Sequence, residues 1–347
     1  MDQENLRLFI SRTARELEQT IETREAEHLA WLILSHVTRL PVMQLRVNAA
    51  VKVPKTQMQK AEKMALALKK NVPFQYITHE APFYGADFYV TPSVLIPRPE
   101  TEELVQKAIE AARALIAART FTAQGKSGST ATPKGGPDSL QILDIGTGSG
   151  CIAVTLAREL PEAEVHAVEI SRRALSVAAK NARNLGASVR FYHADILKLS
   201  RSLFPDSPVT RCKSPAHPSK SDSRYLSADA LRTLAPGRFD MIVSNPPYVT
   251  VAQKGEMLPN VVEHEPHKAL FVPDSDPLRF YRAIGRLATR WLKPGGRLLF
   301  EINETLASQT AILLSGLGYT EVSAFNDING KARIISALLP SNQADSE

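Results

Sequence analysis

The chain has 347 residues, enough for one large or two ordinary domains, and 44% hydrophobic with 22% charged residues is the composition of a globular protein with a sizeable core. Its two cysteines, Cys151 and Cys212, exclude a disulfide scaffold and a cysteine-rich zinc site. The formal charge of +6 does not mark a nucleic-acid face, because four of the six excess charges fall in two low-complexity stretches, 119–138 and 204–236.

Residues 1–80 read as a helical domain. Leu6, Phe9, Ile10, Leu17 and Ile21 recur at helical spacing, as do Ala26, Leu29, Leu32, Ile33 and Val37, before Pro41 interrupts the pattern. A third helix opens near Pro54 and buries Met58, Ala61, Ala65 and Leu68. Lys52, Lys55, Lys60, Lys63, Lys69 and Lys70 form either a solvated face or a docking face for an acidic partner. Short runs such as Phe88-Tyr89-Val90, broken by Gly85 and Pro92, predict a β-hairpin within the linker 81–97. A helix over 101–118 follows, with Leu104, Ile109 and Leu115 inward.

The stretch 119–138 reads as a flexible insertion, with Arg119, Lys126 and Lys134 against Asp138. Strands then alternate with helices, the pattern of a parallel α/β sheet. Strands are expected at Gln141–Ile145, Val165–Glu169, Val189–His193, Phe239–Ser244 and Arg297–Ile302. Helices are expected at Cys151–Glu159 and near 171–184, 278–291 and 304–316, with a turn at Lys293-Pro294-Gly295-Gly296. A second insertion, 204–236, holds Arg211, Lys213, Lys220, Arg224 and Arg232 against Asp206, Asp222 and Asp229. Strands near 319–325 and 332–338 close the domain as an antiparallel pair. No apolar run reaches the roughly 18–20 residues of a membrane span. With an acidic opening at Met1-Asp2-Gln3-Glu4 and no secretory signal visible, the chain is expected in the cytoplasm, with no membrane partner.

The sharpest local pattern is Asp144-Ile145-Gly146-Thr147-Gly148-Ser149-Gly150 at a strand-to-helix junction. Glycines there let backbone approach a ligand at angles other residues avoid. A dinucleotide fingerprint places its third glycine at the sixth position, which here is Cys151, and no P-loop lysine follows. The spacing suits S-adenosylmethionine, whose amino-acid tail and ribose lie across such a loop; Gly146, Thr147, Gly148, Ser149 and Gly150 are its candidate binding residues. Glu169 ends the second strand, where a carboxylate accepts from both ribose hydroxyls or is an ordinary solvated acid. Asp195 contacts the adenine amino group or caps a helix, and Ile196 packs on the ring or is core.

The decisive segment is Ser244-Asn245-Pro246-Pro247-Tyr248, where two prolines stiffen the exit from a strand. An amide nitrogen is a weak nucleophile because its lone pair is delocalised. The Asn245 side-chain oxygen and the Pro246 carbonyl can accept its two N–H bonds and aim it at a methyl group, while Tyr248 stacks on the planar amide or base. The plain alternative is a strand-ending turn. The eight histidines show no metal spacing, and no metal is expected. A hydrolase elbow around Ser149 is rejected, because Thr147 and Cys151 stand where glycines are needed.

These motifs together resemble the release factor glutamine methyltransferase family over nearly the whole chain. Val94 through Glu102, Asp144 through Gly150, Asn245 through Tyr248, Glu265-Pro266 with Ala269-Leu270, and Lys293 through Gly296 with Glu301-Ile302 are similar to family positions. The resemblance implies a class I, Rossmann-like α/β methyltransferase domain at 98–340 behind an N-terminal helical domain that grips the substrate. It implies catalytic Asn245, Pro246 and Tyr248, a substrate loop Asn245–Tyr248 including Pro247, and Asn245 also beside the cofactor. The implied reaction is N5-methylation of the glutamine in the Gly-Gly-Gln motif of class 1 peptide-chain release factors, with S-adenosylhomocysteine as product and a monomer that needs no nucleic acid. Asn-Pro-Pro-Tyr is shared with adenine-N6 and other nucleic-acid amino methyltransferases, which, with ribosomal-protein glutamine methyltransferases, are the alternatives; a non-catalytic binding module is a further one. Asn303 and Ala332 depart from residues common in the family, and both insertions are long for it.

Overall fold

The computed structural model describes residues 3–18, 21–47, 52–124, 139–204, 225–233 and 237–341. In chain order the helices α1 to α5 span Gln3–Leu17, Thr23–Thr38, Val42–Val47, Lys55–Leu68 and Phe74–Thr78. Strands β1 (Glu80–Phe83) and β2 (Ala86–Tyr89) precede α6 (Pro99–Gln124), β3 (Gln141–Ile145), α7 (Cys151–Glu159), β4 (Glu164–Glu169) and α8 (Arg172–Asn184). Then come β5 (Val189–His193), α9 (Ile196–Leu203), β6 (Leu226–Ser227), α10 (Ala228–Arg232), β7 (Phe239–Ser244) and β8 (Val249–Thr250). The chain continues through α11 (Pro259–His264), α12 (His267–Leu270), β9 (Phe271–Val272), α13 (Arg279–Trp291), β10 (Leu292–Glu301), α14 (Ala307–Gly316), β11 (Thr320–Asn326) and β12 (Ala332–Leu338).

The chain divides into two units, one of residues 1–80 with 256–265, the other of residues 81–255 with 266–347. The helical unit packs the apolar stripes of α1, α2 and α4, with Leu6, Leu17, Ile33, Leu34 and Ala61 essentially inaccessible. Within residues 1–80 two short helices, α3 and α5, were not foreseen; each follows a proline, Pro41 or Pro73, which ends one helix and presets the dihedral that starts the next. All six lysines around α4 are exposed, and Lys69 pairs with Glu16 at 2.8 Å, the pattern of a solvated face. Within the stretch 98–340, Glu256–Glu265 clusters with the helical unit. Within that unit the His264 ring meets the Lys70 carbonyl at 3.0 Å.

The second unit is built on an eight-stranded sheet ordered β11-β12-β10-β7-β3-β4-β5-β6. All neighbours are parallel except where β12 runs antiparallel to β10 and β11. Its central strands carry apolar side chains on both faces, as a parallel sheet between helix layers requires. Ile142, Met241 and Val243 join one core with Leu104, Ile109 and Leu156; Leu143, Ile145 and Ile242 join the other with Tyr281, Trp291 and Phe300. The strand order reverses beside β3, with β4 on one flank and β7 on the other, so the carboxyl ends of β3 and β7 open side by side at a topological switch point.

Four local expectations change. The hairpin turns earlier than its apolar run implied, at Tyr84-Gly85, whose φ angles of 47° and 72° are those of a two-residue primed turn. Helix α6 runs six residues past the expected end at 118, because no glycine or proline intervenes before Gly125; Arg119 on its last turns bonds the buried Asp240 carboxylate. Lys293–Gly296 is a bulge inside β10: Leu292 faces Phe239 and Arg297 faces Met241, which leaves the four residues opposite Asp240 and brings Lys293 Nζ to 2.9 Å from it. The insertion expected at 204–236 is ordered over 225–233, where β6 extends the sheet edge and Leu231 is fully buried. The rest of that stretch from 205 on, and residues 125–138 of the first insertion, lie outside the described residues.

His166 on β4 is fully buried, with Nδ1 2.9 Å from the Tyr192 hydroxyl and Nε2 3.3 Å from Gln141 Oε1. Burial pulls its pKa down to about 4, against the partial pull of Glu164. The unfolded chain therefore binds the extra proton first, and stability falls as pH drops from about 6.5 towards 4. Between pH 7.5 and 5 the wild-type protein should lose about 2 kcal/mol more than His166→Gln, a difference in which other titrating groups cancel. Urea unfolding at the two pH values measures it, and equal losses would contradict a buried neutral imidazole.

Candidate active site

The loop after β3 continues the β4 ladder, with the Gly146 and Thr147 N–H groups donating to the Val168 carbonyl at 2.8 and 3.1 Å. Gly146, Gly148 and Gly150 have φ angles of 81°, 55° and 84°, the left-handed region that favours glycine. Two of them serve different ends. A Cβ on Gly150 would lie 3.0 Å from the Ala178 Cβ, so this glycine lets α7 and α8 approach. A Cβ on Gly146 would meet nothing within 4 Å, so this glycine leaves bare backbone facing open space.

Thr147 and Ser149, expected to bind the cofactor, are buried, and the Thr147 hydroxyl donates to Asp144 Oδ2 at 2.6 Å. Asp144 is fully buried; burial raises its pKa to about 7 against the opposing Thr147 bond, and its Oδ1 has no hydrogen-bond partner among the described residues. Asn181 on α8, which the sequence reading overlooked, braces the loop from behind. Its Nδ2 donates to the Ser149 and Tyr89 carbonyls at 2.8 and 2.9 Å, and its Oδ1 accepts from the Tyr89 N–H at 2.7 Å.

Glu169 ends β4 beside this loop. Its oxygens accept from the Gly148 N–H at 3.1 Å and the Ser171 N–H at 2.8 Å, and burial holds its pKa above the ordinary carboxylate value. Four lone-pair sites leave capacity for two further donors such as a ribose diol. Asp195 caps α9, its Oδ1 accepting from the Leu197 and Lys198 N–H groups at 3.0 and 3.1 Å. Ile196 packs into the core beneath it. The bare Gly146 backbone faces open space, and the Glu169 carboxylate beside the loop keeps acceptor capacity to spare. That fits a cationic amino-acid tail and a ribose.

Strand β7 ends at Ser244, whose hydroxyl donates to the Ile145 carbonyl at 2.6 Å and ties the β7 loop to the glycine loop. Asn245 follows, half-buried, with Pro246 buried behind it. Two partners here were read from sequence only as family positions, and neither was given a role. Asn245 Nδ2 donates to Thr101 Oγ1 at 3.1 Å and to Glu301 Oε2 at 2.8 Å. The Thr101 hydroxyl donates to the same Oε2 at 2.6 Å, and the Tyr248 hydroxyl to Oε1 at 3.1 Å. Glu301 is 1% exposed, and burial raises its pKa against these donors and Arg333. Burial and then the Glu301 charge push the Tyr248 phenol well above its ordinary value, so it stays protonated. Among the described residues no three His, Cys, Asp or Glu gather as a metal site would require, and no helix is long and apolar enough to cross a membrane.

The sequence matches the family described as "Methyltransferase domain" over residues 137–323 and "PrmC N-terminal domain" over residues 10–78. It is 36% identical to the release factor glutamine methyltransferase of Bacteroides thetaiotaomicron over 92% of this chain and 95% of that one. It is 36% identical to the enzyme of the same name from Flavobacterium psychrophilum, over 92% and 94%. Among solved structures, a release factor-specific protein-(glutamine-N5) methyltransferase from Alicyclobacillus acidocaldarius is 23% identical, with a TM-score of 0.35 over 73% of this chain and 99% of that one. Both family matches fall on one chain, the second of them within the helical unit, and the two bacterial relatives align across nearly the full length. The chain belongs to the release factor glutamine methyltransferase family.

Proposed function

We propose that the chain transfers a methyl group from S-adenosylmethionine to the side-chain nitrogen of a glutamine in peptide-chain release factors, the target being the Gly-Gly-Gln motif of class 1 factors. The observation that carries this reading is the placement of Asn245–Tyr248 at the carboxyl end of β7, directly beside the glycine loop at the carboxyl end of β3. Such an arrangement sets a planar amide and a cofactor loop against each other. Gly146 to Gly150, with Asp144 behind them, would hold the amino-acid tail, and Glu169 the ribose. The cofactor supplies an electrophilic methyl on a sulfonium and leaves as the neutral thioether S-adenosylhomocysteine.

Asn245 Oδ1 and the Pro246 carbonyl accept the two N–H bonds of the glutamine amide, and the fixed φ angles of Pro246 and Pro247 hold both acceptors at one angle. Tyr248, kept neutral, acts through its ring face against the amide plane. No strong base on the chain is needed, because the nitrogen becomes acidic as it gains the methyl. The helical unit is the part we assign to gripping the release factor, and the cytoplasm is the place of action.

Methyl transfer from labelled cofactor to a purified release factor, beside a Gln→Ala variant of its Gly-Gly-Gln motif, tests the reading. Label on the wild-type factor alone is the expected result. Equal label on both variants would overturn the target residue. No label on either, with S-adenosylhomocysteine still bound, would overturn the substrate and turn the search to ribosomal proteins and nucleic acids.

A further inference from the structure

Hydrogen-bond accounting around Glu301 fixes something that the Asn-Pro-Pro-Tyr motif alone leaves open, namely which way round the Asn245 carboxamide sits. Its oxygen and nitrogen have nearly the same shape, so only the neighbours decide between them. The Thr101 hydroxyl has one proton, and the 2.6 Å approach to Glu301 Oε2 takes it. The Thr101 oxygen is thereby left as an acceptor, 3.1 Å from Asn245 Nδ2, while Glu301 Oε2 is a second acceptor at 2.8 Å. Both neighbours on this side of the amide accept, and both N–H bonds are used there. Turned over, the amide would press its oxygen against a carboxylate oxygen, a repulsive contact in a nearly dry site.

Glu301 itself is held from three further elements: Tyr248 donates to its other oxygen, the Tyr281 hydroxyl donates to its backbone carbonyl at 3.3 Å, and the Arg333 charge acts on it from β12. Thr101 and Glu301 come from the first turn of α6 and the end of β10, distant in sequence from the loop they serve.

We propose that Thr101 and Glu301 are positioning residues for methyl transfer, which lock the Asn245 carboxamide with Nδ2 turned inward and Oδ1 presented to the substrate N–H. This rests on the reading that Asn245 binds the amide, and the test separates the two. Thr101→Val keeps the shape and removes the hydroxyl; it should lower kcat about tenfold at unchanged cofactor affinity, and Thr101→Ser should restore kcat to within about twofold. A sign-reversing comparison excludes a merely structural role. Asn245→Asp sets two carboxylates against each other and should be nearly inactive. Adding Glu301→Gln supplies an N–H to the new Asp and leaves its other oxygen for substrate, so the double variant should exceed Asn245→Asp in kcat by about tenfold.

Wild-type kcat in Thr101→Val, or a double variant no better than Asn245→Asp, with Asn245→Ala inactive, overturns the positioning and leaves the role of Asn245 standing. Wild-type kcat in Asn245→Ala overturns both.

Discussion

Asn245→Ala is expected to lower kcat for methyl transfer by about 10²–10³-fold with little change in cofactor affinity, a cost comparable to that of deleting one preorganised polar contact in other active sites. The amide nitrogen attacks well only when its lone pair points along the line of the departing sulfur. Two acceptors on its two N–H bonds define that direction, and one acceptor leaves it free to rotate. Pro246 supplies a backbone acceptor that substitution cannot remove, so Asn245 is the adjustable half of the pair. Removing it also takes a donor from the buried Glu301 carboxylate, which bonds Asn245 at 2.8 Å. Single-turnover rates beside calorimetric titration with S-adenosylhomocysteine separate the two quantities. A variant with half the wild-type kcat would remove Asn245 from the mechanism.

Glu169→Ala should act on the other substrate, raising the Kd for S-adenosylhomocysteine about 100-fold or more. Two charge-assisted hydrogen bonds to a ribose diol carry most of this. The rest is conformational: Glu169 accepts from the Gly148 N–H at 3.1 Å and from the Ser171 N–H at 2.8 Å, so it also pins the glycine turn to the start of α8. Glu169→Gln retains acceptor oxygen and should lose only about tenfold. Calorimetric titration of both variants decides the matter, and an affinity within threefold of wild type in Glu169→Ala would take the ribose away from this residue.

The sheet was legible because its strands are short apolar runs bounded by glycine or polar residues. Gln141–Ile145, Val189–His193 and Phe239–Ser244 form at the expected limits, and α7 does too. The short helices α3 and α5 were not, since six and five residues carry too little period to read. Low complexity also misled at Leu226–Arg232, where a serine-rich stretch still supplies the apolar Leu231 to the core. At the site, the glycine loop and Asn245–Tyr248 are local patterns and could be read directly. Thr101 and Glu301 stand 144 and 56 residues from Asn245, and their use as a pair is a tertiary fact. The inward turn of the Thr147 and Ser149 side chains is likewise a tertiary fact, since membership of a loop does not say which way its side chains face.

The return of Glu256–Glu265 to the helical unit bears on how such a protein can be taken apart or recombined. A chain that passes once between its parts yields two pieces at a single cut. This one passes three times, after residues 80, 255 and 265. A shortened chain beginning at residue 81 would keep ten residues stripped of the helices they cluster with, among them the buried Glu265 and the His264 ring that caps the Lys70 carbonyl. Grafting the helical unit from one relative onto another therefore means moving two segments together, and the second junction falls only a few residues beyond Tyr248. The two units are encoded on interleaved stretches of the gene, which favours their changing jointly over reshuffling end to end.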